Sequence, residues 1–461
     1  MKPSCMRLVS RSSNSRFRDE GASDGAHGRM MAIRVLAHGV GGRSDLPVPE
    51  WQAAWGAALV MVLSFAALGL LWRRPRLGSL AVGRRLNGAA ETLLRAAGGM
   101  GRLVALLLFV VVLVAGLFGS DDTVSNIAPV SVYVIFWVGV PVVSVILGPV
   151  WRAVSPWETL GRLVGGLRSG EAPGWLANGW AALVPISLFH WLELAYHEGA
   201  SPRVIGWWGL LYTAGLMVFA RRWGWEEARK AEGFGVLFDA LASLSPFRRD
   251  GSGRLSMRPP LVGVADLETP PALVAVVLVA LGGTAFDGFS RTRFWGDLMA
   301  GRGGWEATVV NTVGLVWLAV LMGLVYHLAC WSGGRLTGAP DFAAGFGASL
   351  VPILLGYDLA HYFSLLLLEG QAFGSLVSDP MGRGWDLFGT VDNPVNWTFV
   401  STMTVGWVQL GAIVLGHLVA VVVAHDRAVQ KWSSAIALRS QYPMLVVMVA
   451  YTVFALILVA G

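Results

Sequence analysis

The feature that most constrains this chain is a series of long apolar stretches that continues to the end of the sequence. A bilayer core of about 30 Å takes about 20 helical residues. Stretches that meet this length lie at 51–72, 102–119, 128–149, 175–196, 204–220, 271–287, 305–328, 341–367, 397–424 and 442–460. Charged or Gly/Pro-rich segments separate them. The pattern predicts an all-α fold: a polytopic transmembrane helix bundle of about ten spans.

Composition supports a lipid-embedded chain and argues against a soluble one. Of the 461 residues, 55% are hydrophobic and only 14% are charged, whereas soluble domains carry about 25% charged residues. Many of the 21 tryptophans end apolar runs, where an indole ring is buried while its N–H reaches water. The two cysteines, Cys5 and Cys330, exclude a disulfide framework and a CxxC metal motif.

The chain divides into two parts. Residues 1–36 are polar and predict a disordered leader, or an upstream extension ahead of a start at Met30 or Met31. Residues 37–461 predict a single transmembrane helical domain. Two segments leave alternatives open: 102–149 fits a tight helical hairpin, and 226–245 fits an interfacial amphipathic helix.

The net charge of +6 is explained by membrane orientation, and no nucleic-acid partner is expected. One set of alternate loops carries most of the Lys and Arg residues. The opposite set has only Arg203, Arg291, Arg293, Arg302 and Arg383. The positive-inside rule therefore predicts a multi-pass protein of the cell membrane with both termini outside and the basic loops in the cytoplasm.

A short internal similarity is consistent with a weak parallel repeat. Leu183-Val184-Pro185-Ile186 recurs as Leu350-Val351-Pro352-Ile353, and coincidence explains four apolar letters about as well. Both prolines are expected midway through a span, where they would kink the helix and free a carbonyl group.

Ionisable side chains cluster in the predicted fourth and eighth spans. Because such side chains are costly to bury in a membrane, their presence there indicates a functional site. His190, Glu193 and His197 are three and four residues apart, so a continuous helix would place them on one face. Asp358 and His361 are one turn apart in the eighth span, and Asp287 ends the sixth.

Imidazoles and carboxylates from facing helices are how helical bundles assemble metal sites. We therefore expect Glu193, His197, Asp358 and His361 as ligands of a divalent ion (Zn, Co, Mn or Cu), with His190 as a further ligand or a catalytic base. His190 and His197 would lie about 10 Å apart along a helix, so one ion would not bind both directly. The alternative interpretation is simple interhelical hydrogen bonding.

Other polar residues are weaker candidates. If Ala37-His38 became the mature N-terminus, its amine and the His38 imidazole would bind copper. His327, His425 and Asp426 are expected at the membrane interface, and His417 has no acidic partner at helical spacing. The acidic residues of the last outer loop, Asp379, Asp386 and Asp392, would either cover the site or simply be solvated.

Three stretches resemble a known family: His38-Gly39-Val40-Gly41-Gly42-Arg43-Ser44-Asp45-Leu46-Pro47, Tyr357-Asp358-Leu359-Ala360-His361-Tyr362, and Asp379-Pro380-Met381-Gly382-Arg383-Gly384-Trp385-Asp386-Leu387-Phe388-Gly389. They are similar to polytopic bacterial membrane proteins labelled fenitrothion hydrolase. The resemblance, which extends over most of the chain from about residue 36, implies cleavage of a lipophilic organophosphate triester at its aryl ester bond. It transfers no catalytic residues.

Three functions fit these observations. The leading hypothesis is a membrane-embedded, metal-dependent hydrolase that takes a lipophilic small-molecule substrate from membrane lipid, because a bound divalent metal supplies both nucleophile and electrophile for phosphotriester cleavage. A transporter of a metal ion or small solute is the alternative. A structural membrane subunit is the third.

Overall fold

The computed structural model describes residues 48–86, 88–165, 170–249, 254–338 and 345–460. Within these residues the protein is a helical bundle with nine helices long and apolar enough to cross a membrane. This confirms the all-α, multi-pass membrane fold. The leader and the segment from His38 to Pro47 lie outside the described residues.

The helices are numbered in chain order. They are α1 (Glu50–Leu71), α2 (Leu77–Ala81), α3 (Gly88–Phe118), α4 (Ile127–Pro129), α5 (Val140–Leu147), α6 (Val150–Val154), α7 (Pro156–Gly165), α8 (Gly174–Ala177), α9 (Leu183–Leu194), α10 (Pro202–Trp223), α11 (Trp225–Ala228), α12 (Gly233–Ala242), α13 (Pro271–Ser290), α14 (Arg293–Met299), α15 (Gly304–Thr337), α16 (Leu350–Leu368), α17 (Ala372–Leu376), α18 (Thr402–Lys431), α19 (Ser434–Ser440) and α20 (Tyr442–Ala460). Short 3₁₀ turns lie at Trp180–Ala182, Arg229–Ala231, Val262–Asp266, Gly347–Ser349 and Glu369–Gln371.

The predicted fourth span is broken into pieces. It consists of α8, a turn, the 3₁₀ segment and α9, and its apolar helical part is shorter than the other spans. Gly179 adopts a left-handed conformation with φ of 80°, which an L-residue side chain disfavours. The break therefore follows from Asn178-Gly179, and α9 ends at Leu194, before His197.

Both copies of the internal similarity begin an α-helix. Leu183 starts α9 directly after the 3₁₀ turn Trp180–Ala182, and Leu350 starts α16 directly after Gly347–Ser349. Pro185 and Pro352 thus lie near the start of their helices, where few amides have intrahelical partners. The expectation of prolines midway through a span was wrong, because the helices begin later than the apolar stretches do.

Helix α13 is the most buried of the candidate spans and packs between α9 and α16. Glycines permit the closest approaches in this part of the bundle. A Cβ atom at Gly282 would overlap the backbone of Ala319 on α15, and one at Gly356 of α16 would lie 3.0 Å from the Cα of Gly416 on α18. Such small residues let membrane helices approach closely and gain van der Waals contact. Its high burial places α13 at the centre of the bundle.

Two elements were not foreseen from the sequence. Val130–Gly139 forms a π-helix that continues α4 into α5, and such segments are rare. Three short strands, β1 (Arg84–Arg85), β2 (Phe247–Arg249) and β3 (Leu255–Met257), form an antiparallel sheet in the order β1-β3-β2. In addition, α12 is buried on nearly all sides, so the alternative of an interfacial amphipathic helix is wrong for this part of 226–245.

Candidate functional site

Helix α9 brings two ionisable side chains into the centre of the bundle. His190 and Glu193 are both buried. His190 Nδ1 lies 2.8 Å from the carbonyl oxygen of Ile186. A carbonyl group only accepts, so Nδ1 must carry the proton. The Nε2 atom of a neutral His190 is left with a free lone pair, and it has no hydrogen-bond partner.

The His190 ring lies on a glycine of the central helix. A Cβ atom at Gly283 of α13 would overlap the ring carbon Cδ2 and the Nε2 atom. On its other side the ring is met edge-on by Trp137 of the π-helix, with ring centroids 5.2 Å apart. Position 283 must therefore be glycine for the imidazole to reach α13.

Helices α13 and α16 are joined by an acid–imidazole pair. His361 Nε2 donates to Oδ2 of Asp287 over 2.7 Å, and both side chains are buried. The second oxygen of Asp287 accepts from Arg291, the residue that directly follows α13, over 3.1 Å. Asp287 is thus held between two donors.

Asp358 lies one turn before His361 on α16, but it has a different partner. Its Oδ1 atom accepts from the hydroxyl group of Thr284 on α13 over 3.0 Å. Thr284 and Asp287 are three residues apart, so the same face of α13 contacts both ionisable side chains of α16.

We define the buried cluster as His190, Glu193, Asp287, Asp358 and His361, of which Asp358 is half-buried and the other four are buried. Glu193 is within electrostatic range of Asp287, Asp358 and Arg291. Its Oε2 atom has no hydrogen-bond partner, and neither have the nearby hydroxyl groups of Tyr357 and Tyr362. The cluster combines three carboxylates with several unpartnered polar atoms, an arrangement that is costly unless something else satisfies them.

The structure does not bring His197 into the cluster. Because α9 ends at Leu194, the predicted helix face stops one turn short of it. His197 is exposed, and its Nδ1 atom is 2.8 Å from the hydroxyl group of Thr308 on α15. Its ring also contacts Trp305. The expectation that His190, Glu193 and His197 share one helix face was wrong for this physical reason.

The predicted metal ligands Glu193, His197, Asp358 and His361 are therefore not gathered as a set. In the part of the chain that the structure describes, no three His, Cys, Asp or Glu side chains are arranged to hold a metal ion. His361 Nε2 and Asp358 Oδ1 are each engaged by another residue. A metal ion at the cluster stays a prediction, for which His190 Nε2 and Glu193 Oε2 are the available donor atoms.

The weaker candidates have structural partners. Asp426 Oδ1 accepts from Trp72 Nε1 over 2.8 Å and from the amide of Arg76 over 2.7 Å, and His425 Nε2 contacts the carbonyl oxygen of Trp72 over 3.0 Å. These contacts attach the segment after α1 to α18. His417 is buried, with Nδ1 on the carbonyl group of Ile413.

Two of the acidic residues in the last long loop order their own backbone. Asp379 accepts from the amides of Arg383 and Gly384, over 2.9 and 2.6 Å. Asp386 accepts from the amide of Thr390 over 3.0 Å. These carboxylates are therefore engaged in turn formation, which accounts for them without a covering role.

Sequence reasoning missed several members of this region. Thr284 was not singled out, and Arg291 was considered only as a basic loop residue. Tyr357 and Tyr362 were named only within a stretch of family resemblance, with no role for their hydroxyl groups. Asp287 was noted only as a residue at the end of a span. The available signal was the spacing of Thr284, Asp287 and Arg291 at three and four residues along an otherwise apolar helix, which predicts one polar face.

Comparisons with known proteins leave the function to be argued from this geometry. No protein-family model matches the sequence, and no curated protein or solved structure matches it significantly.

Proposed function

We propose that this protein carries a cation, either a proton or a small metal ion, across the membrane by way of the buried cluster. The observation that supports this most directly is the buried, unpartnered Oε2 atom of Glu193, which lies within electrostatic range of Asp287 and Asp358. An ionised carboxylate in such a place is costly. A proton or a cation would remove most of that cost.

The residues take different parts in this proposal. Glu193 and His190 offer free acceptor atoms on α9, so they bind the cation first. Asp358 has Thr284 as its donor and takes the cation next. Asp287, held by His361 and Arg291, keeps its charge and attracts the cation into the bundle.

The arrangement of basic loops supports an orientation for this transport. We place the protein in the cell membrane with these loops in the cytoplasm and the termini outside. The cluster, which lies toward the C-terminal ends of α9 and α13, would then be closer to the outer face. A protease-sensitive tag at the C-terminus should be cleaved from outside in intact spheroplasts.

Transport can be measured directly in proteoliposomes. The purified protein should dissipate an imposed pH gradient, read with an enclosed pH-sensitive dye, or accumulate a divalent cation, read with an enclosed metal indicator. Glu193→Gln should lower the rate at least about tenfold, because the amide takes up no proton near neutral pH and carries no negative charge to attract a cation.

A matched control is Glu198→Gln. Glu198 is an exposed carboxylate just beyond α9, so its loss should leave the rate unchanged. Protein-independent fluxes of both protons and metal ions would refute the transport proposal. Equal loss of rate in both variants would refute the role of Glu193.

A second candidate function is hydrolysis of a lipophilic organophosphate triester, as the resemblance to fenitrothion hydrolase implies. The observation that favours it is the Asp287–His361 pair, since a carboxylate that orients an imidazole is a common arrangement in acid–base catalysis. Detergent-purified protein should then cleave a chromogenic aryl phosphotriester when supplied with a suitable divalent ion, and His361→Ala should abolish the cleavage. If no divalent ion supports cleavage while proteoliposomes transport a cation, the hydrolase candidate fails.

A further inference from the structure

A wedge-shaped cavity opens between α13 and α15, away from the buried cluster. The two helices touch where Gly282 meets Ala319, and the lining of the cavity extends from Ala319 to Pro271 on α13 and His327 on α15. The space between them, closed at one side by Trp180, measures about 340 Å³. The wedge therefore begins beside the close glycine contact between the two helices.

The lining of the wedge is mainly apolar and includes three small residues, Ala275, Ala319 and Gly323. Ala275 of α13 and Gly323 of α15 both line the wedge. A Cβ atom added at Gly323 would meet nothing within 4 Å. Beside Gly323 on α15, Val320 and Leu324 are more than half exposed. In a multi-pass membrane protein such apolar side chains face lipid, so lipid is the solvent next to the wedge.

The wedge continues into a polar end along α15. Ala319, Gly323, His327, Trp331 and Arg335 are spaced by four residues, so they follow one ridge of the helix. From Ala319 to His327 the ridge rises by about 12 Å, and it rises by about the same distance again to Arg335. Along this ridge the residues change from apolar to amphipathic and then to charged. A phospholipid shows the same order from its acyl chain to its headgroup.

The cationic end of this ridge is directed back toward the wedge. The Arg335 guanidinium lies over the Trp331 ring, 5.1 Å from its centroid, and a helical side chain leans toward the N-terminus of its helix. His327 lines the mouth of the cavity and is exposed. Its Nδ1 atom is bound to the carbonyl oxygen of Gly323 over 2.8 Å, which fixes the ring at the boundary between apolar and polar surface.

We propose that the wedge between α13 and α15 is a binding site for an anionic phospholipid, with one acyl chain between Ala275 and Gly323 and the phosphate group toward Arg335. The apolar lining matches the chain, and the guanidinium group matches the charge of the phosphate. This site is independent of the chemistry at the buried cluster.

The test uses the full-length protein in nanodiscs of zwitterionic lipid. Trace amounts of two photoactivatable phospholipids are compared, which carry the same diazirine acyl chain on an anionic or a zwitterionic headgroup. After irradiation, labelled peptides are identified by mass spectrometry. The anionic probe should label Pro271–Val279 and Ala319–His327 at least about five times more than the zwitterionic probe does.

Two variants, each with a matched control, test the binding of the acyl chain and the binding of the headgroup separately. Gly323→Leu should fill the wedge and abolish its labelling, whereas Gly215→Leu, at another glycine with nothing within 4 Å of a Cβ atom, should not. Arg335→Gln should remove the preference for the anionic probe. Arg222→Gln should preserve it, although Arg222 also lies over a tryptophan ring, that of Trp223, at 5.7 Å.

Three results would overturn the proposal. Equal labelling of the wedge by both probes would show that a neutral lipid occupies it. Labelling that persists in Gly323→Leu would place the chain elsewhere. Loss of labelling on addition of a lipophilic non-lipid compound, but not of unlabelled anionic phospholipid, would identify the wedge as a small-molecule site.

Discussion

His361 of α16 donates a hydrogen bond from Nε2 to Oδ2 of Asp287 on α13, over 2.7 Å. Both side chains are buried, and the contact joins two helices that are 74 residues apart along the chain. Asp358, one turn before His361, faces Thr284 of α13 instead. Two adjacent contacts therefore fix the rotation of α16 against the central helix.

The Asp287–His361 pair should contribute strongly to stability. Removing one partner of a buried pair typically costs about 3–5 kcal/mol, because the other is left uncompensated. His361→Ala should therefore lower the unfolding temperature clearly, and Asp287→Ala should lower it further because the contact between Asp287 and Arg291 is lost as well. A double-mutant cycle measured by thermal unfolding in detergent should give a coupling energy above about 1 kcal/mol. Additive effects would contradict the contact.

Gly283→Ala should displace the His190 ring, since the added methyl group overlaps it. We expect a loss of about 1–3 kcal/mol, as for other overpacked sites, together with a loss of the proposed transport. Adding His190→Ala should restore much of the stability but not the transport. Gly56→Ala is the control, because nothing lies within 4 Å of its Cβ position. Failure of His190→Ala to rescue stability would argue against this packing.

Asp426→Ala should lower stability without lowering transport, because Asp426 is a structural carboxylate outside the proposed cation pathway. Asp426 holds Trp72 and the amide of Arg76, so its loss should lower the unfolding temperature and make the segment after α1 more sensitive to protease. The transport rate per folded molecule should stay within about twofold, a change below about 0.5 kcal/mol in the barrier. A selective loss of transport with unchanged stability would move Asp426 into the functional machinery.

Glu232 precedes α12, outside the candidate spans, and burial raises its pKa to about 7. Its carboxylate accepts from Trp151 Nε1 over 3.2 Å and from the Tyr212 hydroxyl group over 3.4 Å. Because the folded pKa lies above the ordinary value of 4.5, protonation favours the folded state. Stability should therefore fall as the pH rises from about 4.5 to about 7, by roughly 3 kcal/mol at most.

Glu232→Gln should flatten this part of the stability profile, as measured by the unfolding temperature between about pH 5 and about pH 8. Glu227→Gln is the control, since Glu227 is partly exposed and paired with Lys230 over 2.8 Å. Asp239 is half-buried and has a pKa that desolvation also raises, so some slope should remain. An unchanged slope in Glu232→Gln would show that Glu232 does not titrate in this window.

Local patterns were enough to find the bundle and most of the cluster. Apolar length located nine of the ten predicted spans, because a membrane helix needs no tertiary partner to satisfy its backbone. Three of them, 305–328, 341–367 and 397–424, were predicted to end several residues before the observed helical spans do. Burial cost alone identified His190, Glu193, Asp358 and His361 as unusual. The wrong predictions concern helix ends. Asn178-Gly179 interrupts the predicted fourth span, and the end of α9 at Leu194 leaves His197 outside the buried cluster.

The sequence by itself therefore determined the class of protein, its spans and which side chains needed an explanation. Only the tertiary structure decided their partners. Helical spacing predicted that Asp358 and His361 share one face of their helix. The packing of α13 between α9 and α16 decided that Asp358 binds Thr284 and that His361 binds Asp287. The physical reason is that spacing fixes which residues share a face of one helix, whereas glycines such as Gly283 decide which face of the neighbouring helix comes close enough to bind them.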